Sequence, residues 1–200
     1  MTTIDYYMSL NSPWTYLGSR RLRDMAAKHG ATIDIKPTKF GAVFEKTGGL
    51  PLAKRAPARR DYRMQELKRW RAFHGRLLTL EPKFFPADEG PAVRLLLRAK
   101  LAGLDAVRLS TEISCAQWEL EQNFADPAVL AAAAARAGID MAQIDHGPSD
   151  GDLAALHDGY TSEAIANGVF GAPTYRLPSG EFFWGQDRLD FLERALASPA

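Results

Sequence analysis

Strand signals occupy only the two ends of this chain. Residues 3–10 are rich in β-branched and aromatic types and read as a strand. Residues 13–29 carry Tyr16, Leu17, Leu22, Met25 and Ala26 at helical spacing, with Gly30 as the stop. Residues 32–37 alternate and read as a second strand, completing a β-α-β unit. The next strand signals come only after Val169, where 174–177 and 181–184 flank the turn Pro178-Ser179-Gly180. A helix over about 187–197 follows, with Asp187 expected as its cap. The two ends could therefore share one sheet, with the residues between them inserted. The expected class is α/β, with residues 1–39 and 168–200 forming one domain and 40–167 a helical insertion.

Within the insertion, residues 40–58 read as loop with short helix. Residues 59–74 form a basic amphipathic helix, with Tyr62, Leu67, Trp70 and Phe73 inward and its charges on a solvated face. Pro82-Lys83-Phe84-Phe85-Pro86 is irregular and apolar, and helices follow at about 89–102, 108–122, 127–137 and 150–167.

The 200 residues are 46% hydrophobic and 24% charged, with a net charge of +1. Such a balance gives no electrostatic basis for binding nucleic acid or a membrane surface. No basic segment followed by an apolar run opens the chain, and no membrane span is evident, so a cytoplasmic location is expected. The single cysteine, Cys115, excludes an internal disulfide or a CxxC pair and reads as a core residue.

Three segments carry chemistry. Ser12-Pro13-Trp14 lies where the first strand meets its helix. A serine there is an N-cap, beside unpaired N–H groups and the positive end of the helix dipole. Gly171-Ala172-Pro173-Thr174 enters a strand through a proline, which implies an edge position or a cis bond. A cis bond would leave the Ala172 backbone free to pair with an extended peptide ligand. Trp184-Gly185-Gln186-Asp187-Arg188 opens the last helix, where exposed amides suit a carboxylate.

Taken in order, these segments resemble the 2-hydroxychromene-2-carboxylate isomerase family, a kappa-class glutathione transferase-like branch of the thioredoxin/DsbA-like superfamily. The matching words are Ser12-Pro13-Trp14-Thr15-Tyr16-Leu17, Asp61-Tyr62 with Arg69-Trp70, Val169-Phe170-Gly171-Ala172-Pro173-Thr174, and Trp184-Gly185-Gln186-Asp187-Arg188-Leu189. The resemblance spans nearly the whole chain. It implies a thioredoxin-like fold, a glutathione cofactor and a homodimer. It places Ser12, followed by Pro13 and Trp14, beside the glutathione sulfur, and Ala172, before Pro173, against its cysteinyl backbone. Gln186, Asp187 and Arg188 would hold the γ-glutamyl end, and Arg59, where lysine is usual, the other end. Lys54, Arg55 and Arg60 are neighbours able to share that role. Many relatives carry Gly-Asn before this helix, with the asparagine on ligand; here the loop reads Thr47-Gly48-Gly49-Leu50-Pro51.

The implied reaction interconverts 2-hydroxychromene-2-carboxylate and trans-o-hydroxybenzylidenepyruvate. A thiolate adds reversibly to the conjugated carbon, the resulting single bond rotates, and loss of thiolate restores the double bond. Ser12 would donate to the sulfur and favour the thiolate. Lys83 with Phe84 and Phe85, Trp14, and the cations Lys39, Lys54 and Arg55 are candidates to hold the small aromatic carboxylate substrate. A kappa-like transferase conjugating electrophiles would share every glutathione contact, and a non-catalytic binding protein would share the fold. No GxSxG elbow is present, and His29, His74, His146 and His157 are scattered, which argues against a serine hydrolase. Asp145, His146, Asp150, Asp152 and His157 suggest a metal site only weakly, because Pro148-Ser149-Asp150-Gly151 reads as a loop and helix cap.

Overall fold

The computed structural model describes residues 1–144 and 147–197. Four strands form one sheet: β1 (Thr3–Met8), β2 (Thr32–Pro37), β3 (Thr174–Arg176) and β4 (Phe182–Trp184). Their order is β2-β1-β3-β4, with β1–β2 parallel and the other two pairings antiparallel. The helices are α1 (Pro13–Lys28), α2 (Phe40–Thr47), α3 (Pro57–Phe73), α4 (Gly90–Leu101), α5 (Ala106–Trp118), α6 (Pro127–Ala137), α7 (Asp150–Ala166) and α8 (Leu189–Ala197). Five of them, α3 to α7, lie between β2 and β3 together with α2. The fold is α/β and thioredoxin-like, as expected.

Local sequence sets most boundaries. Ser12 caps α1 and Pro13 takes its first position, where a missing N–H costs nothing. Ser149 and Asp152 form a reciprocal capping box on α7, so the cap reading of that segment holds. Asp145 and His146 lie outside the described residues. Among the described residues, no group of three or more His, Cys, Asp or Glu is placed to hold a metal. No helix among them is long and apolar enough to cross a membrane. The largest buried cluster joins Ile4, Tyr6 and Tyr175 of the sheet to Leu96 of α4, Ile113 of α5 and Phe124, so strands and inserted helices share one core.

Four expectations need correction. α3 turns a different face inward: Leu67 is its buried residue, flanked by half-buried Met64 and Trp70. Tyr62 and Phe73 are 58% and 76% exposed, because the helix touches the body along a narrow stripe and its first half borders an open cavity. Nor is that half's charge simply a solvated face, since Arg59 and Arg63 line the cavity. α5 ends at Trp118 rather than near 122, where the chain turns over at Glu121 with φ of 52°. Asp187 does not cap the last helix. It sits inside a 3₁₀ turn, Gln186–Arg188, entered through Gly185 at φ of 101°, a conformation that favours glycine.

Sheet direction gathers the informative segments. β1 runs into α1, and antiparallel β3 begins where β1 ends, pairing Tyr7 with Thr174. β4 ends beside the start of β3, pairing Trp184 with Thr174. Ser12, Ala172 and Gly185 therefore emerge at the same end of the sheet. α1 also presses on the Gln186 turn through Gly18. A Cβ there would stand 2.8 Å from the Tyr175 hydroxyl and 2.9 Å from Gln186 Cβ. Alanine normally favours a helix interior over glycine by about 1 kcal/mol, but overpacking costs about 1–3 kcal/mol. Gly18→Ala is therefore expected to lower the urea midpoint; a raised midpoint would contradict the tight crossing.

Candidate active site

Ser12 Oγ accepts the Thr15 backbone N–H at 3.2 Å. The hydroxyl keeps its own proton available to a further acceptor. The Ala172–Pro173 bond is cis, as one of the two expected alternatives had it. The Pro173 carbonyl accepts the Gly185 N–H at 2.9 Å, which ties the proline to the Gln186 turn. Trp14 and Ala172 line a cavity of about 530 Å³, together with Trp184 and the stretch Gly185 to Arg188.

The facing wall comes from α3 and the loop before it. Arg55, Arg59 and Arg63 recur every fourth residue, a spacing that puts Arg59 and Arg63 on one helix face. None of the three forms an ion pair among the described residues. The cavity's two carboxylates are engaged elsewhere: Glu66 pairs with Arg69, and Asp187 pairs with Arg188 at 2.9 Å. Arg55 Nε donates to the Leu50 carbonyl at 2.8 Å. Burial, then the neighbouring Arg59, lowers the Arg55 guanidinium below its ordinary range. Burial and then Arg55 push Arg63 down to about 10, so it stays charged at neutral pH. The cavity carries an excess of positive charge, four arginines against two carboxylates that are already paired, and suits an anionic ligand.

The sequence-derived residues divide clearly. Trp14, Arg55, Arg59, Ala172, Gln186, Asp187 and Arg188 line the cavity. Ser12 and Pro13 sit next to it in sequence at the α1 tip, and Pro173 follows Ala172. Lys54 is exposed in the preceding 3₁₀ turn. Lys39 pairs with Asp158 and lines a separate cavity with Asn11, Glu89 and His157. Lys83 stands 5.2 Å from the centre of the Phe84 ring and does not line the arginine-rich cavity, nor does Phe84. At Gly49 a Cβ would meet the Phe44 ring at 2.4 Å, so a side chain here would require that ring to shift.

Two contributors went unread in the sequence. Arg63 was detectable as the residue four places beyond Arg59. His74 was not: it caps the far end of α3, stacks on Trp70, and places Nε2 2.8 Å from Gln186 Oε1. That contact joins the insertion to the turn and holds Gln186, which is 1% exposed.

Cys115 offers no rival nucleophile. It is buried, and burial, then Glu119 and Glu112, push its thiol up to about 11, against the pull of Arg76 and Arg20. Because the thiolate is the reactive form, labelling of the native protein by a thiol-disulfide reagent at pH 8 is expected to be slow. Labelling should become rapid in urea; fast native labelling would contradict this environment.

A family model for the DSBA-like thioredoxin domain matches residues 3–197. The 2-hydroxychromene-2-carboxylate isomerase of Pseudomonas putida is 28% identical over 202 residues, covering 96% of this chain and 93% of that protein. A solved 2-hydroxychromene-2-carboxylate isomerase superposes with a TM-score of 0.78 at 27% identity, over 98% of this chain and 94% of the other. The cytosolic disulfide reductase DsbM from Pseudomonas aeruginosa, solved with GSH, has a TM-score of 0.66 at 18% identity, covering 98% of this chain and 100% of its own. These likenesses to named isomerases support an enzyme of the isomerase class. Sequence and architecture agree: this chain belongs to the DSBA-like thioredoxin domain family.

Proposed function

We propose that this protein is a glutathione-dependent isomerase of the 2-hydroxychromene-2-carboxylate type. The carrying observation is the cavity in which Trp14, Ala172 and the Gln186–Arg188 turn face three unpaired arginines. Glutathione suits it on three counts. The tripeptide bears two carboxylates, and the cavity has guanidinium groups without internal partners. Among the described residues nothing bonds the Ala172 N–H or C=O, which leaves both for an extended peptide. The α1 tip offers a hydroxyl and a positive dipole end where an anionic sulfur is favoured. DsbM, which shares the fold, is solved with GSH, which is consistent with the same ligand here.

When bound, glutathione supplies a thiolate able to add reversibly to a conjugated carbon and so permit rotation about it. The chain's own residues do the rest. Ser12 donates its hydroxyl proton as a hydrogen bond and stays neutral. Ala172 holds the peptide backbone by two main-chain contacts, and the Gln186–Arg188 turn binds the γ-glutamyl end. Arg59 takes the glycine carboxylate, while Trp14 supplies an apolar wall that limits water. His74 acts only through Gln186, as a positioning residue. A disulfide exchange role is disfavoured, because the α1 tip carries Ser12-Pro13-Trp14-Thr15 and the lone thiol is buried.

A kappa-like transferase acting on a different electrophile would share every glutathione contact. The two differ in stoichiometry: the isomerase returns glutathione and the transferase consumes it. With trans-o-hydroxybenzylidenepyruvate as substrate, turnover is expected to need glutathione and leave its concentration unchanged. Ser12→Ala should reduce that turnover by about 100-fold, the cost of losing one donor to a developing anion. Ser12→Asp keeps a capping acceptor for Thr15 but has no hydroxyl proton, so it should stay folded and equally inactive. Full turnover by either variant across neutral pH would refute the role of Ser12.

A further inference from the structure

The cavity holds more positive charge than glutathione alone accounts for. On the reading above, the γ-glutamyl carboxylate meets the Gln186–Arg188 turn and the glycine carboxylate meets Arg59. Arg55 is tethered at the mouth by its bond to the Leu50 carbonyl. Arg63 remains. It is half-buried, whereas Arg59 is exposed. Its guanidinium lies 5.8 Å from the centre of the Phe85 ring, and its sole polar side-chain neighbour among the described residues is the Met64 thioether at 3.9 Å. Phe85 in turn packs on Trp118 at 5.2 Å between ring centres, so the aromatic support under Arg63 is fixed in the core. Trp14 and Trp70 line the same cavity. A planar guanidinium held over aromatic surface and lacking a carboxylate partner is a bidentate donor site for the carboxylate of a flat aromatic acid.

We infer that Arg63 receives the carboxylate of the second ligand, an aromatic 2-oxo acid or its cyclic hemiketal, and so selects acids over neutral analogues. The inference rests on the glutathione-dependent reading of this cavity. It moves substrate recognition from the sequence candidates Lys39 and Lys83, which lie elsewhere, onto α3. The lowered pKa of Arg63, caused first by burial and then by Arg55, agrees, since an incoming carboxylate would offset both.

The test is binding, measured by titration calorimetry with S-methylglutathione filling the peptide subsite without a reactive thiol. Benzylidenepyruvate and its methyl ester are the two probes. The native protein is expected to prefer the acid by about tenfold or more, the worth of a charge-assisted pair. Arg63→Gln should reduce that preference to within about twofold, while Arg63→Lys keeps part of it. Circular dichroism of both variants establishes that they are folded. An unchanged preference in Arg63→Gln, or no preference in the native protein, overturns the assignment. A larger loss of S-methylglutathione affinity than of acid affinity also overturns it, by giving Arg63 to the glycine carboxylate. If the native protein binds no S-methylglutathione yet its acid preference vanishes in Arg63→Gln, the glutathione reading fails and Arg63 keeps its role.

Discussion

The short antiparallel pairing of β1 with β3 makes this site exist. Three registered pairs, Asp5 with Arg176, Tyr6 with Tyr175 and Tyr7 with Thr174, join the two ends of the chain across the whole insertion. Tyr6 and Tyr175 stack at 5.3 Å with their rings 15° from parallel, both fully buried. Closing so long a loop costs entropy, but the cost grows only slowly with length, so buried aromatic surface can offset it. Once this pairing forms, strand direction alone brings the α1 tip, the cis proline and the Gly185 bend to one sheet end. The α1 tip is far in sequence from the other two, which lie at the two ends of one hairpin. Their proximity follows from two registers, β1 with β3 and β3 with β4, and a slip of one residue in the first would turn Tyr175 out of the core.

α3 supplies the opposite wall at a local cost. Its first turn carries Arg59 and Arg60 and no acidic residue, and Ala56 provides no side-chain cap. Cations at a helix N-terminus oppose the dipole, and an uncapped end leaves its N–H groups to water. Arg63 then adds charge one turn on, with no carboxylate to absorb it. α2 and α4 also start without a side-chain cap, but α3 adds two arginines in its first turn and faces the cavity with them, whereas α6 and α7 are capped in the ordinary way. Concentrated violations of this kind are expected at functional sites, where an external anion supplies the missing compensation.

How much of this was legible beforehand depended on whether a feature is local. Caps, turns and periodicity are local, so α1, β2 and α6 could be bounded from sequence almost to the residue. The cis proline was readable because proline entering a strand has few options. The inward face of α3 was not, since a helix carrying Tyr62, Trp70 and Phe73 on one side and Met64 and Leu67 on another has two plausible apolar stripes. Only contact with α1 and α5 through the Leu67 cluster decides between them. Lys39 and Lys83 attracted attention as cations near motif residues, yet Lys39 pairs with Asp158 and Lys83 with the Phe84 ring. His74 reaches Gln186 across 112 residues, a contact no spacing rule encodes.

Ser12 need not be either a structural cap or a functional donor. A hydroxyl has two acceptor lone pairs and one proton. The Thr15 N–H occupies one lone pair, and Pro13, having no N–H, competes for neither. The cap bond also fixes the oxygen at the helix end and draws electron density from it, which makes the remaining proton a better donor. A cysteine here would place the reactive sulfur on the chain itself and would demand a partner thiol to cycle. On the proposed glutathione-dependent reading, serine instead leaves the positive helix end for a sulfur brought by the ligand. On that reading, the same helix end that suits a resident thiolate suits a visiting one, and the change of one side-chain atom separates the two uses.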